Sequence, residues 1–131
     1  MEGATVGGNS AGVFSYRLAE KRCVNFKTCG KEHNAVSGSS YVNTKLFDKL
    51  AIGQGRLLMG QCESVRPILR EMVALMSIPL IQGTLRYAYK IDKMSGGDKE
   101  KGEGAIFAAA VVPRVHHCNS ADGDTIMNHM K

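Results

Sequence analysis

The densest chemistry in the chain lies in one short stretch, Gln82-Gly83-Thr84-Leu85-Arg86-Tyr87-Ala88-Tyr89-Lys90. On a helix, Gln82, Arg86, Tyr89 and Lys93 project to one side, because spacings of three and four share a face. Tyr87 falls on another side, near Gly83 and Ile91. A phenol beside a guanidinium sits in a field that favours phenolate, and a trivalent cation favours it far more. Phenolates and carboxylates are hard oxygen donors of the kind that suits Fe(III). The Arg86 guanidinium is a forked donor able to hold a small planar oxyanion. The same spacing also fits two amphipathic rim tyrosines, with Arg86 paired to a surface carboxylate.

A second group is Arg114-Val115-His116-His117-Cys118. Adjacent helical residues point about 100° apart, so His116 and His117 do not easily serve one metal ion. His117 shares a face with Arg114, Ala110, Phe107 and Glu103. Glu103 and His117 are separated by about 20 Å along a helix axis, too far to share an ion. If His117 is a ligand, its partners come from other elements. The alternative is that these are C-terminal residues complementing the helix dipole. His33 and His129 are isolated, and no role follows for them.

Four cysteines, Cys23, Cys29, Cys62 and Cys118, form an even set without a C-x-x-C pair, which disfavours a zinc knuckle or a thioredoxin-type motif. Cys23 with Cys29 would close a short loop, and Cys62 with Cys118 would clamp two helices. Three connectivities are open, as is a set of reduced thiols. Cys118, near His117 and Arg114, is the one candidate for thiol redox chemistry. No phosphate-binding loop, nucleophile elbow or H-E-x-x-H pair occurs, and Asp122-Gly123-Asp124 lacks the remaining positions of a calcium loop. No nucleophile, base and orienter assemble from spacing, so an enzyme is not indicated.

The elements that must position these residues read as helices. Residues 1–12 are a flexible lead-in rich in Gly, Ser and Asn, and residues 13–131 are expected to form a single helical domain. A short helix spans Phe14 to Cys23, and 24–40 carry loop chemistry. Asn43 or Thr44 caps a helix with apolar residues Leu46, Phe47, Leu50, Leu57 and Leu58. A second runs from about Gln61 to Ser77 and is ended or kinked by Pro79. A third covers Leu80 to Met94, with Gly83 as a soft spot. Asp98 to Gly102 is a solvated connector. A fourth, Glu103 to Cys118, is bent at Pro113, with Ala108, Ala109 and Ala110 small enough for a close neighbour. A terminal helix starts at Ala121. The expectation is all-α: a bundle of four to five helices behind a loop-rich N-terminal segment.

With 131 residues and 44% hydrophobic composition, the chain is long enough for one ordinary core. The net charge is +5, and the excess sits in residues 1–60, with eight Lys/Arg against four Asp/Glu. A nucleic-acid binder shows a denser basic stripe, so no nucleic acid partner is expected. No uninterrupted apolar run approaches ~18 residues, so no transmembrane segment is expected. The opening residues have neither a basic n-region nor an apolar h-region, so no signal peptide is expected.

Two strings stand out for their composition. They are Ile78-Pro79-Leu80-Ile81-Gln82-Gly83-Thr84-Leu85-Arg86-Tyr87-Ala88-Tyr89 and Glu103-Gly104-Ala105-Ile106-Phe107-Ala108-Ala109-Ala110-Val111-Val112-Pro113-Arg114-Val115-His116-His117-Cys118. They resemble the algal iron-assimilating proteins, the low-iron-inducible periplasmic or surface proteins also called phytotransferrins. The resemblance covers about Tyr41 to Met130, and Gly12 to Gly30 more loosely. It implies a periplasmic or cell-surface protein that binds ferric iron with carbonate for uptake or hand-over, and an oxidising setting in which the cysteines form disulfides. It supplies no ligand set, so the candidates remain Tyr87, Tyr89 and His117 for the metal and Arg86 for the anion. Family members are commonly longer, with more than one such unit, which makes a second copy of the unit or a surface receptor the expected partner. The competing expectation is a helical interaction or structural subunit that keeps the fold without a metal site.

Overall fold

The computed structural model describes residues 14–130, so the lead-in expected at 1–12 lies outside the described residues. Five α-helices follow in order: α1 (Phe14–Phe26), α2 (Tyr41–Leu58), α3 (Val65–Lys93), α4 (Asp98–Cys118) and α5 (Ser120–His129), with a 3₁₀ turn at Cys62–Ser64 before α3. The all-α expectation is met, and among the described residues there is no strand. The chain divides into two compact units, one ending at Pro79 and one beginning at Leu80. α3 is common to both.

In the first unit, α1 ends against a disulfide. Cys23 and Cys29 are bonded, with Cα atoms 4.9 Å apart, and Cys29 is fully buried. Cys62 and Cys118 are exposed free thiols. The loop after Cys29 folds back on itself: the Cys29 amide donates to the Ala35 carbonyl at 3.0 Å, and the Gly30 amide donates to Ser39 at 2.9 Å. Gly30 adopts φ +79° to make that turn, a conformation that costs glycine little.

This loop delivers Ser40 to the start of α2. Ser40, rather than Asn43 or Thr44, is the N-cap residue, and the Thr44 amide donates to its carbonyl. Asn43 is instead buried, and its Nδ2 donates to the Tyr16 carbonyl at 2.9 Å and to Glu20 Oε1 at 2.7 Å. The same Glu20 oxygen accepts from the Ser40 amide at 3.0 Å. One carboxylate on α1 thus fixes both the cap and the first turn of α2. Around it, Ala19, Val42 and Leu46 form a small apolar core that Met72 and Leu75 of α3 cover. Gly53 of α2 faces Ile68 of α3, where an added Cβ would make an ordinary contact at 3.8 Å.

Pro79 does not end its helix, one of the two outcomes expected there. Pro79 lies inside α3 and Pro113 inside α4. A proline removes one backbone donor and crowds the preceding turn, but its φ is already helical, so a helix held by packing on either side continues through it. The stretch expected as a connector, Asp98 to Gly102, is the first turn of α4. Asp98 and Glu100 there complement the positive end of the dipole. α5 begins at Ser120, capped by Asn119, whose side chain accepts from the amides of Ala121 and Asp122.

The stretch Cys62–Lys93 reaches a mean hydropathy of 1.3 over its most apolar window, with 22% of that window buried. By length and composition it is long enough to cross a membrane. Charged residues such as Arg70, Glu71 and Arg86 divide the stretch, so no uninterrupted apolar run marks it.

Replacing Glu20 by Ala leaves the Asn43 amide short of an acceptor in a buried setting. Urea denaturation should register a loss of about 1–3 kcal/mol. Stability unchanged from the parent chain would remove Glu20 from the role assigned to it.

Candidate functional site

The second unit brings the two distinctive strings together. On α3, Gly83 and Tyr87 are four residues apart and share a face; on α4, Glu103 and Phe107 do the same. Where these faces meet, an added side-chain atom would overlap a neighbour at Gly83 and be tightly packed at Gly104. A Cβ on Gly83 would lie 2.6 Å from the Phe107 ring, and one on Gly104 would lie 3.2 Å from the Tyr87 Cβ. The two glycines therefore set how near α4 comes to α3. Ala108 and Val111, both buried, continue the contact side of α4. Of the three alanines expected to permit a close neighbour, only Ala108 is buried; Ala109 and Ala110 are exposed.

At that spacing the Tyr87 ring stacks on Phe107, with centroids 5.4 Å apart and planes 16° from parallel. Tyr87 is 8% exposed, and its hydroxyl donates to Glu103 Oε2. The Lys90 ammonium lies 5.5 Å from the centre of the Tyr87 ring and 3.7 Å from Glu100 Oε1. The result is a phenol and a carboxylate in direct contact, flanked by one aromatic ring and one cation. These are two hard oxygen donors, preorganised and half shielded from water.

The other candidates lie elsewhere. Tyr89, two residues beyond Tyr87 and so turned about 200° around the helix, is 61% exposed. Arg86 is half-buried and engaged in an interaction of its own. His117 is exposed and sits fourteen residues beyond Glu103, about 21 Å along α4, so it does not meet the Tyr87 hydroxyl. Its neighbour His116 instead faces α5, with Nε2 3.7 Å from Asp124 Oδ1. The closeness of that contact comes from Gly123, where a Cβ would lie 2.8 Å from the His116 Cα. Among the described residues, no group of three or more His, Cys, Asp and Glu side chains is arranged to hold a metal ion.

Sequence reasoning weighed Glu103 only against His117 and missed it as the partner of Tyr87. The available signal was the pairing of a Gly-x-x-x-Tyr step with a Glu-Gly-x-x-Phe step, each placing a small and a large residue on one helix face.

Compared with known proteins, the chain matches no family model, no curated protein and no solved structure.

Gly83→Ala tests whether the close approach positions the pair. The added methyl must displace a Phe107 ring that is itself stacked on Tyr87, an overpacking change that should cost about 1–3 kcal/mol in thermal or urea unfolding. A variant as stable as the parent would mean that Phe107 has room the geometry does not show.

Proposed function

We propose that this chain is a ferric-iron-binding module of an algal cell-surface or periplasmic uptake protein, with carbonate as the accompanying anion. One observation carries the reading. The two strings behind the resemblance pack on each other, and their contact puts the Tyr87 phenol on the Glu103 carboxylate. Fe(III) is the cargo that suits this pair, because it ionises phenols and prefers charged oxygen ligands. Tyr87 and Glu103 are the first two donors in this account. Arg86, next in sequence to Tyr87, is the anion anchor. Tyr89 and His117 lie on the surface. As ligands they would serve an ion shared with a second copy of the unit or with a surface receptor. The task is binding and release rather than catalysis.

A specific pair of observations favours a second reading, a helical interaction subunit. The apolar window of Cys62–Lys93 is only 22% buried, and no three-residue His/Cys/Asp/Glu metal group occurs among the described residues. On that account Tyr87 and Glu103 are a buried structural hydrogen bond.

Equilibrium competition for ferric iron against citrate, in bicarbonate buffer, separates the two. The expected result is measurable binding that weakens about tenfold or more in Tyr87→Phe and in Glu103→Gln, equivalent to at least about 1.4 kcal/mol each. Tyr89→Phe should change it far less. Unchanged affinity in both Tyr87→Phe and Glu103→Gln would sink the ligand assignment. A parent chain that ignores iron yet self-associates with rising concentration would favour the interaction subunit.

A further inference from the structure

The first unit contains an open cleft of about 560 Å³ that the iron reading does not use. One wall is α2, where Tyr41, Lys45 and Lys49 recur every four residues and so line a single face. The other is the first half of α3, which contributes Ala74, Leu75 and Ile78 as an apolar surface. Lys49 and Glu71 form an ion pair that spans the walls at one end of the α2 row. At the other end, the Lys45 ammonium lies 5.5 Å from the centre of the Tyr41 ring, which in turn makes a T-shaped contact with His33. Among the described residues, no carboxylate pairs with Lys45.

The cleft therefore has a defined polarity. Its body is aliphatic, extended by the methylene stems of the two lysines. One charge, on Glu71, is neutralised by Lys49, and one, on Lys45, lacks a counter-ion. The volume falls within the range of small-molecule sites, which are mostly apolar with a few placed polar groups. The complementary ligand has an apolar body ending in a single negative charge. A second cationic group would meet no partner, and a fully polar anion would leave the aliphatic wall wet. The geometry points to a binding site for a medium-chain fatty carboxylate, with the carboxylate on Lys45 and the alkyl chain along Ala74, Leu75 and Ile78.

Isothermal titration of the full chain with dodecanoate, below its micelle-forming concentration, tests this, with dodecanol as the uncharged comparison. Dodecanoate should bind about tenfold or more tightly than dodecanol, the usual scale of one charge-assisted contact. Lys45→Glu should remove that advantage and leave dodecanol binding unchanged. Ala74→Trp, at an exposed position that fills the cleft, should weaken both ligands. Circular dichroism of each variant establishes that it is folded, and Lys45→Gln provides a milder charge removal if Lys45→Glu is not. The proposal is overturned if dodecanoate does not bind, if it binds no better than dodecanol, or if Ala74→Trp leaves its affinity intact.

Discussion

The approach of α4 to the second half of α3 is the constraint on which the second unit depends. Two helices can come this close only where one presents no side chain, and Gly83 and Gly104 each vacate the spot that a ring or a Tyr Cβ then fills. The consequence is chemical as well as steric. A tyrosine held by stacking on Phe107 has little freedom left for its hydroxyl, so the phenol and the Glu103 carboxylate remain paired without reorganisation. Preorganised donors lower the entropic cost of taking up an ion. The glycines weaken both helices in isolation, by about 1 kcal/mol each relative to alanine, and the contact they permit offsets this.

The first unit solves a different problem. Its core is small, essentially Ala19, Val42 and Leu46 under Met72 and Leu75, and polar and covalent ties supplement it. The disulfide closes the loop after α1, Glu20 ties α1 to the start of α2 by accepting two hydrogen bonds, from Ser40 and Asn43, and Asn43 adds a third by donating to the Tyr16 carbonyl. Such a unit holds its helices mainly at one end. At the far end of α2 apolar side chains are left on the surface, with Leu57 54% and Leu58 89% exposed.

The helical character of the chain was legible because apolar residues recur at the 3.6-residue period from Leu46 to Met76. Boundaries were less so, for reasons specific to each. Pro79 was read as ending or kinking a helix because local sequence carries the cost of a proline but not the packing that outweighs it. Asp98 to Gly102 looked like a connector because its charge is that of a solvated loop, yet the same carboxylates suit a helix N-terminus. Ser40 was hidden as a cap because a glutamate twenty residues earlier helps to hold it. At the candidate site, Tyr87 was legible from its residue type and neighbours. Glu103 was not, since nothing local says which helix α4 will meet, and Gly83 read as a weakness when it is the point of contact.

The central claim is that Tyr87 and Glu103 present oxygen donors to ferric iron. A visible absorption titration with ferric citrate, with and without bicarbonate, tests it most directly. The account predicts a tyrosinate-to-iron charge-transfer band that requires bicarbonate, disappears in Tyr87→Phe and persists in Tyr89→Phe. No band in a parent chain whose circular dichroism is that of a folded helical protein would contradict it.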